Sequence, residues 1–143
     1  SCRFSCVGCF LFLLCRRLPR STRFPNPTLF RSPIGKVAAE AVAEVEAEGQ
    51  LTVAHYDMRY LKPIDGSILD EVGQRFSRVI TVEDGVRCGG LGTAVTEWMA
   101  DHHYTPEIVR LGLPDEFVEH GTVSELRRIA GIDKATIIQH IKG

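Results

Sequence analysis

The residues best suited to bind or react lie in one stretch, Val82-Glu83-Asp84-Gly85-Val86-Arg87-Cys88-Gly89-Gly90-Leu91-Gly92. A glycine-rich turn between a strand and a helix can present backbone N–H groups to an anion at the helix N terminus. This stretch is not a P-loop, because Leu91 follows Gly90 where Lys is required. It is not a dinucleotide fingerprint either, since Gly90-Leu91-Gly92-Thr93-Ala94-Val95 ends in Val. Glu83 and Asp84 would also repel a phosphate. As a carboxylate pair they suit acid/base work, but neighbours along a strand point to opposite sides and do not share a proton. Helix capping by a carboxylate, or an interdomain salt bridge, fits them better. Glu83, Asp84, Gly85, Gly89, Gly90 and Gly92 are thus candidates for a structural loop of close backbone packing.

Other reactive types form no constellation. Cys88 has no histidine in a recognisable local motif with it. His55, His102, His103, His120 and His140 show no ligand spacing such as H-E-x-x-H. His55, in a strand, reads as a packed polar side chain. His102-His103 reads as a helix end, where a cation is favoured. His120 follows Pro114-Asp115-Glu116-Phe117 in a loop and stays a candidate contact. Trp98 reads as core or subunit interface. Spacing alone therefore assigns no catalytic, cofactor-binding or metal-ligating residue.

These residues are strung along alternating helix and strand patterns. Lys36–Glu48 predicts a helix, with Val37, Ala41 and Val45 on one face, Glu40, Glu44 and Glu48 on another, and Gly49 as its stop. Leu51–Tyr56 predicts a strand. Asp65 and Ser67 are candidate N-caps for a helix to about Phe76. Val79–Val82 predicts a short strand buried on both faces. Leu91–His102 is the next helix and Glu107–Leu111 the third clear strand. Thr122-Val123-Ser124-Glu125 is a capping box opening a helix that ends near Gly131. Asp133 can cap a last helix carrying Ile137, Ile138 and Ile141. This alternation predicts an α/β fold, three layers with a mostly parallel sheet flanked by helices.

Composition divides the chain near residue 32. Residues 1–32 carry six Arg, no Asp or Glu, and four of the five Cys; all 18 acidic residues lie beyond. Cys6-Val7-Gly8-Cys9 matches C-x-x-C, but one such pair without a second pair or histidine partners is only a weak metal or redox signal. Arg3 and the apolar run Cys6–Cys15 have elements of a secretory signal, without an initiating Met or a small-x-small cleavage site. Phe24–Ser32 reads instead as a translated adapter joined to the domain at Ser32-Pro33. The expectation is a foreign or disordered segment over 1–32, making no stable contact with a domain over 33–143. The predicted helix at Lys36 then has no strand before it, so the domain is expected to lack its first strand. No clustered basic face suggests nucleic acid. No apolar run is long enough to span a bilayer. A lone Cys88 in the domain suits a reducing compartment.

Four stretches in order carry a family resemblance: Pro33-Ile34-Gly35-Lys36-Val37-Ala38; Tyr56-Asp57-Met58-Arg59-Tyr60-Leu61-Lys62-Pro63; Thr81-Val82-Glu83-Asp84-Gly85 with Gly89-Gly90-Leu91-Gly92; and Leu113-Pro114-Asp115-Glu116-Phe117-Val118-Glu119-His120-Gly121. Residues 33–143 resemble the C-terminal, transketolase-like domain of the 1-deoxy-D-xylulose-5-phosphate synthase family. Leu91 departs from the Phe expected there in many members. The resemblance implies an enzyme, cytoplasmic and homodimeric. It would use thiamine diphosphate and Mg²⁺ to join a two-carbon unit from pyruvate to glyceraldehyde 3-phosphate, for isoprenoid (terpenoid), thiamine and pyridoxal phosphate synthesis. It also implies that the cofactor and substrate residues lie in the missing N-terminal and middle domains. The piece is then a scaffolding and dimer-supporting domain, inactive alone and binding neither cofactor, with the rest of the synthase chain as partner. Another transketolase-like thiamine enzyme, such as a 2-oxoacid dehydrogenase β subunit, shares the strand–Glu–Gly loop–helix plan; the Leu113–Gly121 stretch favours the synthase. A stand-alone phosphate-binding module is the reading of a different class.

Overall fold

The computed structural model describes residues 7–13, 22–23, 33–49, 51–58, 61–117 and 120–143. Its elements run β1 (Val7–Leu13), β2 (Thr22–Arg23), α1 (Pro33–Ala47), β3 (Thr52–Met58), α2 (Gly66–Arg75), β4 (Arg78–Val86), α3 (Leu91–Asp101), β5 (Glu107–Leu113), α4 (Val123–Ile129) and α5 (Lys134–Lys142). The strands form one five-stranded sheet in the order β2-β3-β1-β4-β5. All pairings are parallel except the short antiparallel edge of β2 on β3. The expected three-layer α/β fold is present.

One expectation is corrected. The sheet has no gap where a first strand belongs, because β1 fills it. Its main chain pairs with β3 from Val7↔Thr52 to Leu13↔Met58 and with β4 from Gly8↔Arg78 to Leu13↔Glu83. Residues 7–13 and 22–23 of the first segment thus do contact the α/β part. The apolar run Cys6–Cys15 lacks a period, and a strand paired on both sides needs none: such strands read as continuous apolar runs. Cys6 of the C-x-x-C pair and the Phe24–Ser32 stretch lie outside the described residues.

Two cores sandwich the sheet. On one face α1 and α5 pack with the strands through Ile34, Ala38, Ala41, Val45, Val53, Ile80, Val82, Ile137 and Ile141. On the other, α2 and α3 pack through Tyr56, Met58, Leu69, Val72, Phe76, Val79, Leu91, Val95 and Met99. Alternation along β4 sends Val79 to the α3 side and Ile80 and Val82 to the α1 side, so this central strand is buried on both faces. Helix α1 starts earlier than its apolar period suggests. Pro33 occupies the first position, where a missing N–H costs nothing. Gly49, at φ 70°, closes it with a bond from its N–H to the Glu46 carbonyl (3.0 Å). Asp65 caps α2, accepting from the Ser67 N–H (3.1 Å) and the Ile68 N–H (3.3 Å). Thr122 and Glu125 make the reciprocal capping box of α4. Asp133 is the N-cap of α5 by position only: its carboxylate takes the Thr136 hydroxyl and no backbone N–H. Among the described residues no helix is long and apolar enough to cross a membrane.

Candidate functional site

The glycine-rich stretch begins inside β4. Strand register with β5 shifts between Val82↔Leu111 and Val86↔Leu113, so four steps along β4 match two along β5. Glu83, Asp84 and Gly85 make up this bulge, a device that re-aims side chains. Glu83 keeps the parity of Val79 and Thr81 and turns toward α3. Its carboxylate accepts from the N–H of Leu91 (2.8 Å) and of Gly92 (3.1 Å), the first residues of α3. Glu83 is buried, and the helix N terminus supplies both hydrogen bonds and a favourable dipole for its charge. The anion that this turn can hold is therefore a side chain of the chain itself. Asp84 is exposed and turns the other way, 3.8 Å from the Arg127 guanidinium of α4.

The glycines follow from that carboxylate. A Cβ on Gly90 would stand 2.1 Å from Glu83 Oε2 and 2.5 Å from the Val86 carbonyl oxygen. One on Gly112, across on β5, would meet Glu83 Cγ at 2.9 Å. Gly92 is closed in by Arg110 Cγ and Thr81 Oγ1, each at 2.8 Å. Gly89 is different: it has open space but sits at φ +75°, a conformation that L side chains avoid. Gly85 carries neither restriction, with its nearest neighbour at 3.6 Å.

Sequence reasoning missed Thr93, which locks the turn. Its hydroxyl accepts from the Gly89 N–H (3.1 Å) and from Arg110 Nη1 (3.2 Å) and donates to the Arg87 carbonyl (3.1 Å). One donor and two acceptor sites are all used. The available signal was its place, a hydroxyl two residues into a helix that follows a glycine turn. Cys88 is exposed on the same turn.

The histidines are not gathered here. His120 is exposed on the loop entering α4. His102 caps the far end of α3, its Nδ1 2.8 Å from the Trp98 carbonyl oxygen and its ring stacked on Trp98 at 3.8 Å. Trp98 is half-buried beside the second core. His55 sits on β3 opposite Phe10, where burial pushes its imidazole from 6.5 down to about 4. Among the described residues no three His, Cys, Asp or Glu side chains could hold a metal ion together.

Comparison with known proteins fits this geometry. The family described as Transketolase, C-terminal domain, matches residues 32–137. The 1-deoxy-D-xylulose-5-phosphate synthase of Bacteroides thetaiotaomicron is 49% identical over 109 residues, 76% of this chain and 17% of that protein. Its namesake in Phocaeicola vulgatus is 53% identical over 105 residues, 73% of this chain and 17% of the relative. That of Chlorobium luteolum is 37% identical over 118 residues, 82% and 18%. The chain thus spans about a sixth of the length of the curated relatives it matches. A solved structure, a split gene transketolase described as an inactive beta4 tetramer, superposes with a TM-score of 0.72 at 26% identity, covering 96% of this chain and 38% of that one. With the family matched over most of its length, the chain belongs to the transketolase C-terminal domain family.

Proposed function

We propose that this chain supplies the C-terminal domain of a 1-deoxy-D-xylulose-5-phosphate synthase and that it acts as scaffold, not as catalyst. The observation that carries this is an identity of 49–53% over 105–109 aligned residues with synthases of which it spans only 17%. In this reading residues 33–143 are the family's part, residues 1–32 are not inherited from it, and β1 takes the place of the family's own first strand. The match beginning at residue 32 and the charge break at the same point support that division. The complete enzyme, a cytoplasmic homodimer, would use thiamine diphosphate and Mg²⁺ to join pyruvate and glyceraldehyde 3-phosphate. The residues present here do not fit that cofactor. Glu83 already places a carboxylate at the N terminus of α3, so a diphosphate there would meet like charge. Glu83, with the close packing at Gly90 and Gly92 and the turn at Gly89, then fastens β4 to α3, while Asp84, next to Gly85 in the bulge, turns to Arg127 of α4, and His120 lies free for contact with the rest of the enzyme.

The test is a chimera: the Bacteroides thetaiotaomicron synthase with its matching segment replaced by residues 33–143, preceded by the relative's own first strand. Turnover of pyruvate and glyceraldehyde 3-phosphate near the parent rate is expected, with none from the 143-residue chain alone. A folded chimera without turnover, or turnover by the chain alone, overturns the reading.

A further inference from the structure

Helix α4 has no buried residue, although it spans seven residues. So short a helix is not stable by itself in water. Its apolar residues are nevertheless ordered. Val123, Leu126 and Ile129 recur every third residue, and at about 100° per residue they cover, with Ala130, an arc of roughly 120°. Ser124, Glu125, Arg127 and Arg128 take the rest of the circumference. A stripe of this width ordinarily faces a core. Here Val123 is 64% and Ile129 67% exposed, and Phe117, in the loop leading to α4, is 99% exposed. The remaining large exposed aliphatic among the described residues, Val86, lies at the end of β4, where it pairs with Leu113 of β5. All four therefore belong to the carboxyl end of β4 and the β5–α4 segment, which the Asp84–Arg127 pair ties together. Large apolar side chains concentrated in this way mark an interaction surface.

We propose that Phe117 and the Val123–Leu126–Ile129 stripe of α4 dock against the preceding domains of a 1-deoxy-D-xylulose-5-phosphate synthase chain. This rests on the functional reading above. The occupant follows from length: the synthase relatives are about six times longer than the matched stretch, so the greater part of such a protein is a surface this domain must meet. A second copy of the chain is the competing occupant, and the experiment separates the two.

Hydrogen exchange over 117–129 is compared in the 143-residue chain and in the chimera. Docking predicts exchange at least about tenfold slower in the chimera, with the difference abolished by Phe117→Asp plus Ile129→Asp. Equal exchange in both overturns the proposal, whatever the chimera's turnover. So does a dimer of the 143-residue chain in sedimentation that already protects 117–129. An active chimera with 117–129 unprotected leaves the functional reading standing and removes this one alone. Should the chimera not fold, the same two substitutions go into the intact Bacteroides thetaiotaomicron synthase at the aligned positions. Faster proteolytic release of its C-terminal domain is then expected, and unchanged cleavage overturns the proposal.

Discussion

Glu83 is the residue on which the glycine turn depends, and its substitution gives the sharpest test of that account. Glu83→Ala leaves two buried backbone N–H groups at the start of α3 without an acceptor. At about 1–3 kcal/mol for each unsatisfied group, a loss of roughly 2–6 kcal/mol is expected in denaturant titration. Gly90→Ala should also destabilise, because its Cβ meets both Glu83 and the Val86 carbonyl. In the double variant the side-chain clash disappears while the backbone contact at 2.5 Å remains, so relief should be partial; full additivity of the two losses would contradict the geometry. His55 gives a pH signature. Its folded pKa of about 4 lies below the unfolded 6.5, so the fold favours the neutral ring. That stability is complete above pH 6.5 and is lost as pH falls from there through 4, by at most about 3 kcal/mol. Unfolding midpoints measured across that window should fall more steeply for the parent chain than for His55→Gln.

Among the elements, α4 and β1 make opposite predictions. Because α4 buries nothing, Thr122→Ala should melt it locally. A lost N-cap is worth about 1 kcal/mol, and the readout is faster hydrogen exchange over 123–130 with a global midpoint moved by less than about 0.5 kcal/mol. A large global shift would mean that α4 is part of the core after all. β1 lies between β3 and β4 with a ladder on each side. Phe10→Pro removes a backbone donor from the centre of the sheet and should abolish cooperative unfolding or lower the midpoint by about 3 kcal/mol or more. An unchanged midpoint would show that the pairing contributes nothing. The bulge at Glu83–Gly85 was not visible in the residue pattern, because β4 appeared to stop at Val82; the strand continues to Val86 only through its pairing with Leu113.

For the molecule as a whole, removal of residues 1–23 would part β3 from β4, opening both edges of β3 and one edge of β4. Open edges of that kind pair with other chains. Sedimentation of the shortened chain should therefore show concentration-dependent association that the full chain lacks, and a monodisperse shortened monomer would refute this. Salt should matter little, since the ion pairs that tie α5 to α1 and to the residue following it, Lys134–Glu44 and Lys142–Glu48, are half-exposed. Local pattern was enough for the helix faces, for the caps at Asp65 and Thr122, and for the alternation that makes the fold α/β, because periods of 3.6 and 2 and capping chemistry are written in neighbouring residues. The four ordered stretches from Pro33 to Gly121 likewise carried the family. What the chain's order could not convey was contact between distant segments. That Val7–Leu13 enters the sheet, that Glu83 and not an outside anion occupies the start of α3, and that Val123 and Ile129 face solvent are decided by strand pairing and packing, which act across tens of residues and leave no local period to read.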